Sequence, residues 1–454
     1  MQIWEHIKSR MLQNPNQTVE EKEASITYED LIIYAELLGN QIKDEKCCAV
    51  YSKSEMANAM AVLGCLAAGV TVVPLSFRYG FNHCKKILNS VSPTGLLSDL
   101  EGGLEYIQIS DSRYNEPESS PAVILFTSGS TGVPKGVMLS SENLLSNLSS
   151  IEQYFPITKD DSILITRSLF HSSVLTGEFL ISLCRGLRIR FMSEEFNPQS
   201  IVKEIVENSM TVFGGTPTMF RAFFKLRKEF VFPSLKKVVI SGECLSYNDG
   251  KKINELFPDA EKYHVYGLTE ASPRVCWLPP DLFFKYPDHV GIPIEGVELM
   301  IDSKSEGEAG ELFVRGKNVM LGYYDDDSGT KLVIDKKGWL RTGDIAKLDN
   351  GLIKILGRKD DMIIRGGMNI YPSEIEAELL RDERVRKVVA FKYRDSDNYD
   401  KIGIDISGDF ESTQEVKELC IRVLPLFQVP SHINLCDEIG FTGSNKTIRR
   451  KEDD

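Results

Sequence analysis

The sequence predicts an α/β protein: a large N-terminal multi-subdomain part with a β-rich segment, followed by a small α+β C-terminal domain. The chain has 454 residues, more than a single hydrophobic core usually supports. Between about residues 120 and 270, short apolar stretches alternate with amphipathic ones, a pattern typical of βαβ units and a largely parallel sheet. From about residue 290 to 358, short strands alternate with tight turns, as in hairpins.

The predicted elements of the alternating region follow one another along the chain. We expect strands at AVILF, DSILIT, LRIRFM, MTVFGG, KKVVIS and YHVYG. Helices are expected at SENLLSNLSSIEQYF, GEFLISLC, SIVKEIVEN, TPTMFRAFFKL and DGKKINELF. After the charged cluster at residues 358–361, a shorter α+β pattern begins and includes a helix at EVKELCIRVL. We therefore predict an N-terminal domain at residues 1–358, a C-terminal domain at 359–454 and a hinge near Asp360.

One segment, MANAMAVLGCLAAGVTVVPL at residues 56–75, is long and apolar enough to resemble a membrane span. It contains Asn58 and several small residues, and the β-branched run TVV comes after Gly69. These features favour a buried helix that turns into a buried strand at Gly69.

Composition restricts the function classes. The formal charge of −13 and a pI near 5.2 argue against a general nucleic-acid binder, which normally carries a basic footprint. Nine cysteines occur without a C-x-x-C spacing, so neither a zinc site nor a disulfide framework is indicated. The N-terminal stretch carries charges where a signal peptide would be apolar. We therefore expect a cytoplasmic protein with reduced thiols.

A loop rich in glycine and hydroxyl residues follows the apolar run at residues 122–126. It contains Thr127, Ser128, Gly129, Ser130, Thr131 and Gly132, and Lys135 follows. Exposed backbone N–H groups, hydroxyls and a lysine together suit phosphate oxygens. The loop matches neither G-x-x-x-x-G-K-[ST] nor G-x-G-x-x-G, and a flexible surface turn is the alternative.

A hydrolase interpretation of the same loop is weaker. SGSTG at residues 128–132 differs from the G-x-S-x-G nucleophile elbow in having Ser128 at the first glycine. An elbow needs a helix directly after the nucleophile, whereas Gly132 and Pro134 follow here.

Further motifs, in order, carry a family resemblance. TSGSTGVPKG resembles the phosphate-loop signature of the adenylate-forming superfamily, which includes acyl- and aryl-CoA synthetases, adenylation domains of nonribosomal peptide synthetases, and luciferases. The motifs that follow are YGLTE at 266–270, GELFVRG at 310–316, GWLRTGD at 338–344, LGRKDDMIIRGGMNIYPSEIE at 356–376 and TGSNKTIRR at 442–450. TYEDL at 27–31 and LAAGVTVVPL at 66–75 are similar too, so the resemblance covers essentially the whole chain.

The resemblance implies a two-step ligase. ATP and a carboxylic acid give an acyl-adenylate and pyrophosphate, and a thiol of CoA or of a carrier-protein phosphopantetheine then takes the acyl group. A carboxylate that attacks the α-phosphate brings two anionic groups together, so the site must supply cations and oriented donors. The implied cofactors are ATP and Mg²⁺.

The resemblance also implies the nucleotide site. The loop from Thr127 to Lys135, with Thr131 and Lys135 as catalytic groups, would hold the β- and γ-phosphates. Glu270 would hold Mg²⁺, and Asp344 with Arg358 would bind the ribose. The other implied nucleotide contacts are Ser241, Gly242, Glu243, Tyr266, Gly267 and Thr269.

For the acid, the resemblance points to His171. Amino-acid-activating domains usually carry an aspartate at this place, whereas Phe-His resembles the CoA ligases for acyl and aryl acids. A histidine suits an acid without an α-amine, although a buried core histidine is the alternative. The residues expected to line the acyl pocket are Phe170, Ser172, Phe213, Gly214, Gly215 and Ser272.

In this family the small domain is mobile and carries a catalytic lysine, here Lys446. Asp360 matches the hinge, and Gly366 and Gly367 would line the tunnel for the thiol. The chain departs from the family at Asn445, usually glycine, and at Thr447, usually isoleucine. These departures put the lysine placement and the adenylation rate in doubt.

Three functions remain open on the sequence. The first is an acyl- or aryl-acid ligase that uses CoA or a separate carrier protein. The others are a stand-alone amino-acid adenylation enzyme, and a serine hydrolase or non-catalytic nucleotide-binding protein. Nucleic-acid partners and a membrane span are not expected.

Overall fold

The apolar stretches of the sequence become strands whose bounds are given by a computed structural model. It describes residues 2–99, 104–127, 134–192, 196–226, 230–305, 307–365, 368–394, 400–437 and 439. In these ranges the α-helices are α1 (Ile3–Met11), α2 (Tyr28–Ile42), α3 (Glu55–Ala68), α4 (Phe81–Val91), α5 (Ser141–Tyr154), α6 (Ser172–Val174), α7 (Ile181–Arg185), α8 (Pro198–Glu207), α9 (Pro217–Phe224), α10 (Tyr247–Leu256), α11 (Pro280–Phe283), α12 (Asp327–Val333), α13 (Pro372–Leu379) and α14 (Thr413–Val423). A π-helical turn, Leu175–Leu180, joins α6 to α7.

The strands of the same ranges are β1 (Thr18–Glu21), β2 (Ala24–Thr27), β3 (Cys47–Tyr51), β4 (Thr71–Pro74), β5 (Gly95–Asp99), β6 (Leu104–Gln108), β7 (Val123–Thr127), β8 (Lys135–Leu139), β9 (Ser162–Ile165), β10 (Arg188–Phe191), β11 (Val212–Gly215), β12 (Lys237–Ile240), β13 (Glu261–Gly267), β14 (Arg274–Leu278), β15 (Ile292–Pro293), β16 (Val297–Asp302), β17 (Gly310–Gly316), β18 (Gly322–Tyr323), β19 (Leu340–Asp349), β20 (Leu352–Arg358), β21 (Ile363–Arg365), β22 (Met368–Ile370), β23 (Val385–Arg394), β24 (Asp400–Gly408) and β25 (His432–Leu435).

The largest sheet is built from the predicted βαβ units. Nine of the described strands form it, in the order β15, β14, β13, β12, β11, β9, β10, β1 and β2. The run from β13 to β1 is parallel throughout, which confirms the prediction of a largely parallel sheet. In such a sheet the carboxyl ends of neighbouring strands meet at one edge, where ligands usually bind.

A second sheet contains seven described strands, in the order β18, β8, β7, β4, β3, β5 and β6. The stretch AVILF, expected in the alternating region, is β7 and lies in this second sheet. It pairs in parallel with β4 and forms a hairpin with β8. Periodicity along the chain does not determine which of two sheets a strand joins, because that choice depends on non-local pairing.

The apolar segment at residues 56–75 folds as predicted into a buried helix and a buried strand. α3 ends at Gly69, whose φ of +71° lies in the left-handed region that favours glycine. All four residues of β4 are buried. In the described part of the chain, no helix is long and apolar enough to cross a membrane.

The β-rich segment is an antiparallel sheet of β16, β17, β19 and β20. The turn between β19 and β20 contains Asn350 at φ +52° and Gly351 at φ +77°. Positive φ at two successive residues is the geometry of a type I′ hairpin turn. The hairpins predicted from residues 290–358 are therefore confirmed.

From β21 onward, buried side chains form a hydrophobic cluster of their own, which runs from Ile363 to Leu424. β23, β24 and β25 form a sheet, with α13 packed on β23 and α14 on β25. One contact to the preceding part joins Asn248 Nδ2 to the carbonyl of Leu380 at 3.0 Å. The division at residue 358 and the movement of this part stay predictions.

Candidate active site

The segment predicted to flank adenine lies at the carboxyl edge of the large sheet. Ser241-Gly242-Glu243 follows β12, and Tyr266 and Gly267 end the neighbouring parallel strand β13. Gly242 has a φ of +91°, so the chain turns there in a conformation that favours glycine. Thr218 Oγ1 donates a hydrogen bond to Glu243 Oε2 at 2.7 Å and fixes that side chain. The structure thus brings these predicted residues together.

Asp344 lies beside Tyr266 and Arg358, as the ribose prediction requires. The Tyr266 hydroxyl donates to Asp344 Oδ2 at 2.5 Å, and Arg358 Nη1 donates to Asp344 Oδ1 at 3.0 Å. Burial and the adjacent carboxylate raise the pKa of Tyr266 well above its usual range, so its hydroxyl remains a donor. Burial lowers the pKa of Arg358, but the Asp344 carboxylate outweighs that effect and raises it. Tyr266 and Arg358 therefore hold the Asp344 carboxylate in one orientation.

Glu270 is held by a tyrosine that the sequence interpretation did not include. The Tyr323 hydroxyl donates to Glu270 Oε1 at 3.0 Å, and Lys135 Nζ lies 4.9 Å from the centre of the Tyr323 ring. Burial, followed by the Glu270 charge, raises the pKa of Tyr323 beyond its usual range. Tyr323 therefore connects the predicted metal ligand to the predicted phosphate lysine. The sequence feature that could have indicated Tyr323 is the Gly-Tyr-Tyr run at residues 322–324, shortly after GELFVRG.

A polar cavity of about 310 Å³ lies between these groups. It is bordered by Lys135, Leu268, Glu270, Glu311, Tyr323, Leu332, Val333, Arg341, Thr342, Gly343, Arg358 and Asp360. Cations and carboxylates face each other across it, which suits an anionic ligand with a bridging cation. Among the described residues, no group of three or more His, Cys, Asp or Glu side chains is arranged to hold a metal. Glu270 would therefore share a Mg²⁺ ion with phosphate oxygens, and Mg²⁺ is commonly bound in that way.

The glycine-rich loop is bracketed by Thr127 and Lys135, which are partners across the β7–β8 hairpin. The loop residues themselves, Ser128, Gly129, Ser130, Thr131 and Gly132, lie outside the described residues, as do Gly366, Gly367 and Lys446. Asp360, the predicted hinge, borders the polar cavity, and its carbonyl accepts a hydrogen bond from Lys392 Nζ at 3.4 Å.

His171 and Ser172 connect the helical segment after β9 to the YGLTE motif. Ser172 Oγ donates to Thr269 Oγ1 at 3.3 Å, directly beside Glu270. His171 Nε2 lies 3.3 Å from the Tyr79 hydroxyl, and the rings of Phe170 and Tyr79 pack 5.2 Å apart. His171 is partly exposed whereas Phe170 is buried. The histidine is therefore positioned by an aromatic neighbourhood next to the predicted nucleotide residues.

Gly214 and Gly215, two residues expected to line the acyl pocket, lie in β11, and that expectation stays a prediction. A Cβ on Gly214 would lie 2.7 Å from Glu178 Oε1, and one on Gly215 would lie 3.0 Å from the Phe220 ring. Protein side chains occupy both spaces. Phe213 is fully buried against the rings of Phe220 and Phe223. Because side chains alternate along a strand, Phe213 and Gly215 face α9 while Gly214 faces the π-helical turn.

Ser272, another predicted pocket residue, is fully buried and has a φ of +68°. Its hydroxyl donates to the carbonyl of Asn318 at 2.8 Å. This side chain therefore fixes the loop that carries Glu270.

Comparisons with known proteins agree with the motifs. The family described as AMP-binding enzyme matches residues 8–324. The chain is 32% identical over 362 residues to a long-chain-fatty-acid–CoA ligase of Escherichia coli O157:H7, covering 75% of this chain and 63% of that protein. It is also 32% identical over 380 residues to the medium-chain acyl-CoA ligase ACSF2, mitochondrial, of Mus musculus, covering 79% and 62%. The chain thus spans less than two thirds of the length of these relatives.

The fold of the chain is also similar to those of solved structures. The o-succinylbenzoate CoA synthetase (MenE) of Bacillus subtilis, solved with the acyl-adenylate OSB-AMP, is similar with a TM-score of 0.84. The two chains are 24% identical, and the match covers 99% of this chain and 97% of the other. The MatB of Rhodopseudomonas palustris, solved with ATP, gives a TM-score of 0.85 at 21% identity, covering 98% and 97%. The resemblance to adenylate-forming enzymes is confirmed, and the chain belongs to the family of AMP-binding enzymes.

Proposed function

We propose that this protein activates a carboxylic acid with ATP as an acyl-adenylate, releases pyrophosphate and then transfers the acyl group to a thiol. The observation that carries the proposal is the polar cavity between Lys135, Glu270 and the Asp344–Arg358 pair. Lys135, Glu270 and Arg358 border this one cavity, and Asp344 pairs with Arg358 at its edge. Adenylation needs this combination, because the attacking carboxylate and the α-phosphate are both anionic.

Each residue has one part in the first step. Asp344, held by Tyr266 and Arg358, accepts hydrogen bonds from the ribose hydroxyls. Lys135, with the loop that includes Thr131, holds the β- and γ-phosphates and stabilises the charge of the departing pyrophosphate. Glu270, oriented by Tyr323, would hold Mg²⁺, and the ion would supply positive charge beside the phosphates. Because these groups are fixed before reaction, little reorganisation is needed in the transition state.

The acid is an acyl or aryl carboxylate without an α-amine. His171 occupies the place where an ammonium-binding aspartate would be needed, and Tyr79 lies at its Nε2. The relatives at 32% identity are named as long-chain and medium-chain acyl-CoA ligases, which supports this acid class and CoA as the acceptor. A phosphopantetheine on a separate carrier protein remains the alternative acceptor, since it presents the same reactive arm.

ATP–pyrophosphate exchange with the purified chain tests the proposal. Acyl or aryl acids should drive exchange in the presence of Mg²⁺, and α-amino acids should not. Exchange with a standard amino acid but with no simple acid would favour the amino-acid adenylation enzyme. Thiol acceptors, CoA and a pantetheinylated carrier protein, are then offered to the preformed adenylate.

The hydrolase alternative has its own test. A fluorophosphonate probe should leave the protein unlabelled, since Ser128 and Ser130 are proposed to bind phosphate. Stoichiometric labelling at either serine, together with no exchange, would overturn the ligase proposal.

A further inference from the structure

The carboxyl end of β9 leads into a short segment, residues 166–171, that ends in His171. The backbone N–H of His171 donates to the carbonyl of Ser168 at 3.1 Å, so the segment closes in a tight turn just before α6. The Nε2 atom of His171 lies 3.3 Å from the Tyr79 hydroxyl. The position of the imidazole therefore depends on the contacts that hold this turn.

Glu55, the first residue of α3, holds the turn from the interior and is 5% exposed. The backbone N–H of Leu169 donates to Glu55 Oε2 at 3.2 Å, and Asn58 Nδ2 donates to the same oxygen at 3.4 Å. Burial raises the pKa of Glu55, although the Arg78 charge and these two hydrogen bonds act in the opposite direction. A buried carboxyl group is stabilised only through such partners, so Glu55 and the turn hold each other in place.

Arg78, which is exposed, holds the beginning of the same segment. Arg78 Nη1 donates to the carbonyl of Thr166 at 2.8 Å, and Nη2 donates to the carbonyl of Met192 at 3.0 Å. Thr166 follows β9 and Met192 follows β10, so one guanidinium joins the carboxyl ends of two neighbouring parallel strands. The next residue along the chain is Tyr79, whose hydroxyl lies beside His171. Arg78 thus fixes the backbone on both sides of the Tyr79–His171 contact.

Both residues belong to the part of the chain that builds the second sheet. The helix α3 connects β3 to β4, and Arg78 lies in a short 3₁₀ turn, Phe77–Tyr79, that follows β4. The large sheet in turn holds the start of α3, since Glu21 of β1 accepts from the backbone N–H of Glu55 at 3.0 Å. The position of His171 is therefore set where the two sheets meet.

We propose that Glu55 and Arg78 are positioning residues that hold His171 for the acid substrate. Neither is among the described residues that border the polar cavity proposed for ATP, so both act on the acid through the backbone of the turn. Displacement of a substrate-positioning group by about 1 Å can cost about 100-fold in rate. The inference rests on the proposed function, with His171 as the acid-binding residue, and assigns two residues of the second sheet to acid recognition.

ATP–pyrophosphate exchange tests the inference, first on the parent with straight-chain acids from acetate to palmitate and with benzoate. With the best of these acids, Glu55→Ala should raise the KM for the acid by about 10-fold or more, because the turn loses a buried acceptor. The KM for MgATP should stay close to the parent value. A change in neither KM, or an equal rise in both, would overturn the inference and leave the proposed function intact. No exchange by the parent with any acid would overturn both.

Two matched variants separate positioning from loss of stability. Glu55→Gln keeps an oxygen that can accept from the N–H of Leu169 and should restore most of the parent KM for the acid. Asp161, at the amino end of β9, is also a buried carboxylate that accepts a backbone N–H, that of Thr158 at 3.0 Å. Asp161→Ala should lower the melting temperature and leave both KM values unchanged. If it raised the KM for the acid as Glu55→Ala does, the effect would come from stability and the inference would be wrong.

Arg78→Met provides the same readout at an exposed residue, should Glu55→Ala not fold. It removes the two hydrogen bonds to the strand ends and should raise the KM for the acid but not that for MgATP. An unchanged KM for the acid in Arg78→Met would overturn the inference.

Discussion

At the scale of single residues, Glu270 illustrates what a motif leaves out. YGLTE identifies the carboxylate, but its orientation comes from Tyr323, which is 53 positions away along the chain. Tyr323 lies in β18, which pairs with β8, the strand that begins at Lys135. One antiparallel pairing therefore fixes Lys135 and Tyr323 relative to each other, and Tyr323 in turn holds Glu270.

We expect the Tyr323→Phe variant to catalyse ATP–pyrophosphate exchange less efficiently than the parent. It removes a hydrogen bond to a carboxylate, which is typically worth about 1.5 kcal/mol or more, so kcat/KM for MgATP should fall about 10-fold or more. Tyr324→Phe is the matched control, because the Tyr324 hydroxyl accepts from the backbone N–H of Asn115 at 3.0 Å and does not border the cavity. Equal losses in the two variants would show that Tyr323 acts through stability alone.

His264 in β13 makes stability depend on pH. Burial is the main cause that lowers its pKa to about 4. Its Nδ1 lies 3.0 Å from the carbonyl of Pro287, and because a carbonyl only accepts, Nδ1 carries the proton of the neutral ring. Between pH 6.5 and about 4 the unfolded chain binds a proton that the folded chain does not. Stability is thus fully present above pH 6.5 and is lost as pH falls, by about 3 kcal/mol from this residue.

The measurement is urea unfolding of the parent and of His264→Gln from pH 7 to pH 4. The variant is less stable at pH 7 but should lose less stability on acidification than the parent does. His432→Gln, at an exposed histidine, is the control, and its free energy of unfolding should change with pH as that of the parent does. If the free energy of unfolding fell equally with pH in His264→Gln and in the parent, His264 would not be the source of this pH dependence.

At the residue scale the contacts of the predicted site residues come partly from local sequence and partly from side chains that are distant along the chain. Asp344 and Arg358 were predicted to bind the ribose and Tyr266 to flank the adenine. The three side chains lie in hydrogen-bond contact, and their roles stay predictions. Gly214 was expected to line the acyl pocket, and a Cβ there would lie 2.7 Å from Glu178 Oε1. The position of a charged residue at the end of a strand can be predicted from local sequence. Space beside a glycine depends on which distant side chain reaches it.

At the scale of elements, two buried amides hold the loop that carries Glu270. Asn147 in α5 accepts from the backbone N–H of Arg274 at 3.2 Å and donates to its carbonyl at 2.9 Å. Asn318 donates to the carbonyls of Ala271 and Arg274 at 3.0 and 3.1 Å. The loop between β13 and β14 is therefore tied to α5 and to the segment after β17. These bonds fix the positions of Glu270 and Arg274 relative to each other.

Asn147→Ala should destabilise the protein. It leaves the buried N–H of Arg274 without this acceptor, while Asn318 still serves the carbonyl, and an unsatisfied buried group costs about 1–3 kcal/mol. Urea unfolding should show this loss. Ser149→Ala, on the exposed side of the same helix, should be nearly neutral. A small effect for Asn147→Ala would mean that another group replaces the amide.

The sequence was informative about element type and less so about sheet membership. α3, Gly69 and β4 form as the pattern of residues 56–75 predicts, because the capping glycine and the β-branched run are local signals. β7 joins a sheet other than that of β9 to β13. That outcome depends on its pairing with β4, some fifty positions earlier, and such pairing leaves no periodic signal.

At the scale of the whole molecule, the part that begins with β21 has its own hydrophobic cluster. Lys387 of β23 is partly buried near Arg221 and Lys225, and burial followed by these two cations lowers its pKa to about 8. These like charges repel, whereas Glu243 attracts Lys387 and Glu376 attracts Arg221. The family resemblance implies a small domain that leaves one docked position for another, and this movement stays a prediction.

The last prediction tests that rotation through Lys446, which lies outside the described residues and rests on the TGSNKTIRR motif. If the lysine faces the phosphates only during adenylation, its charge stabilises the first transition state and not the second. Loss of one preorganised group of this kind typically costs about 10²- to 10³-fold in rate. Lys446→Ala should slow adenylate formation by that factor and leave thiol transfer from a supplied acyl-adenylate close to the parent rate.

Lys451→Ala, at a second lysine near the chain end, is the matched control and should change neither half-reaction. Single-turnover measurements separate the two steps. Pyrophosphate release is the readout for adenylate formation, and thioester formation is the readout for acyl transfer. If Lys446→Ala slowed both steps equally, the lysine would act from one fixed position, and rotation of the small domain would not be needed to explain it. If it slowed neither step, Lys446 would not contribute to catalysis in the parent protein. Asn445→Gly and Thr447→Ile, which restore the residues usual in the family, would then test whether these two departures misplace the lysine.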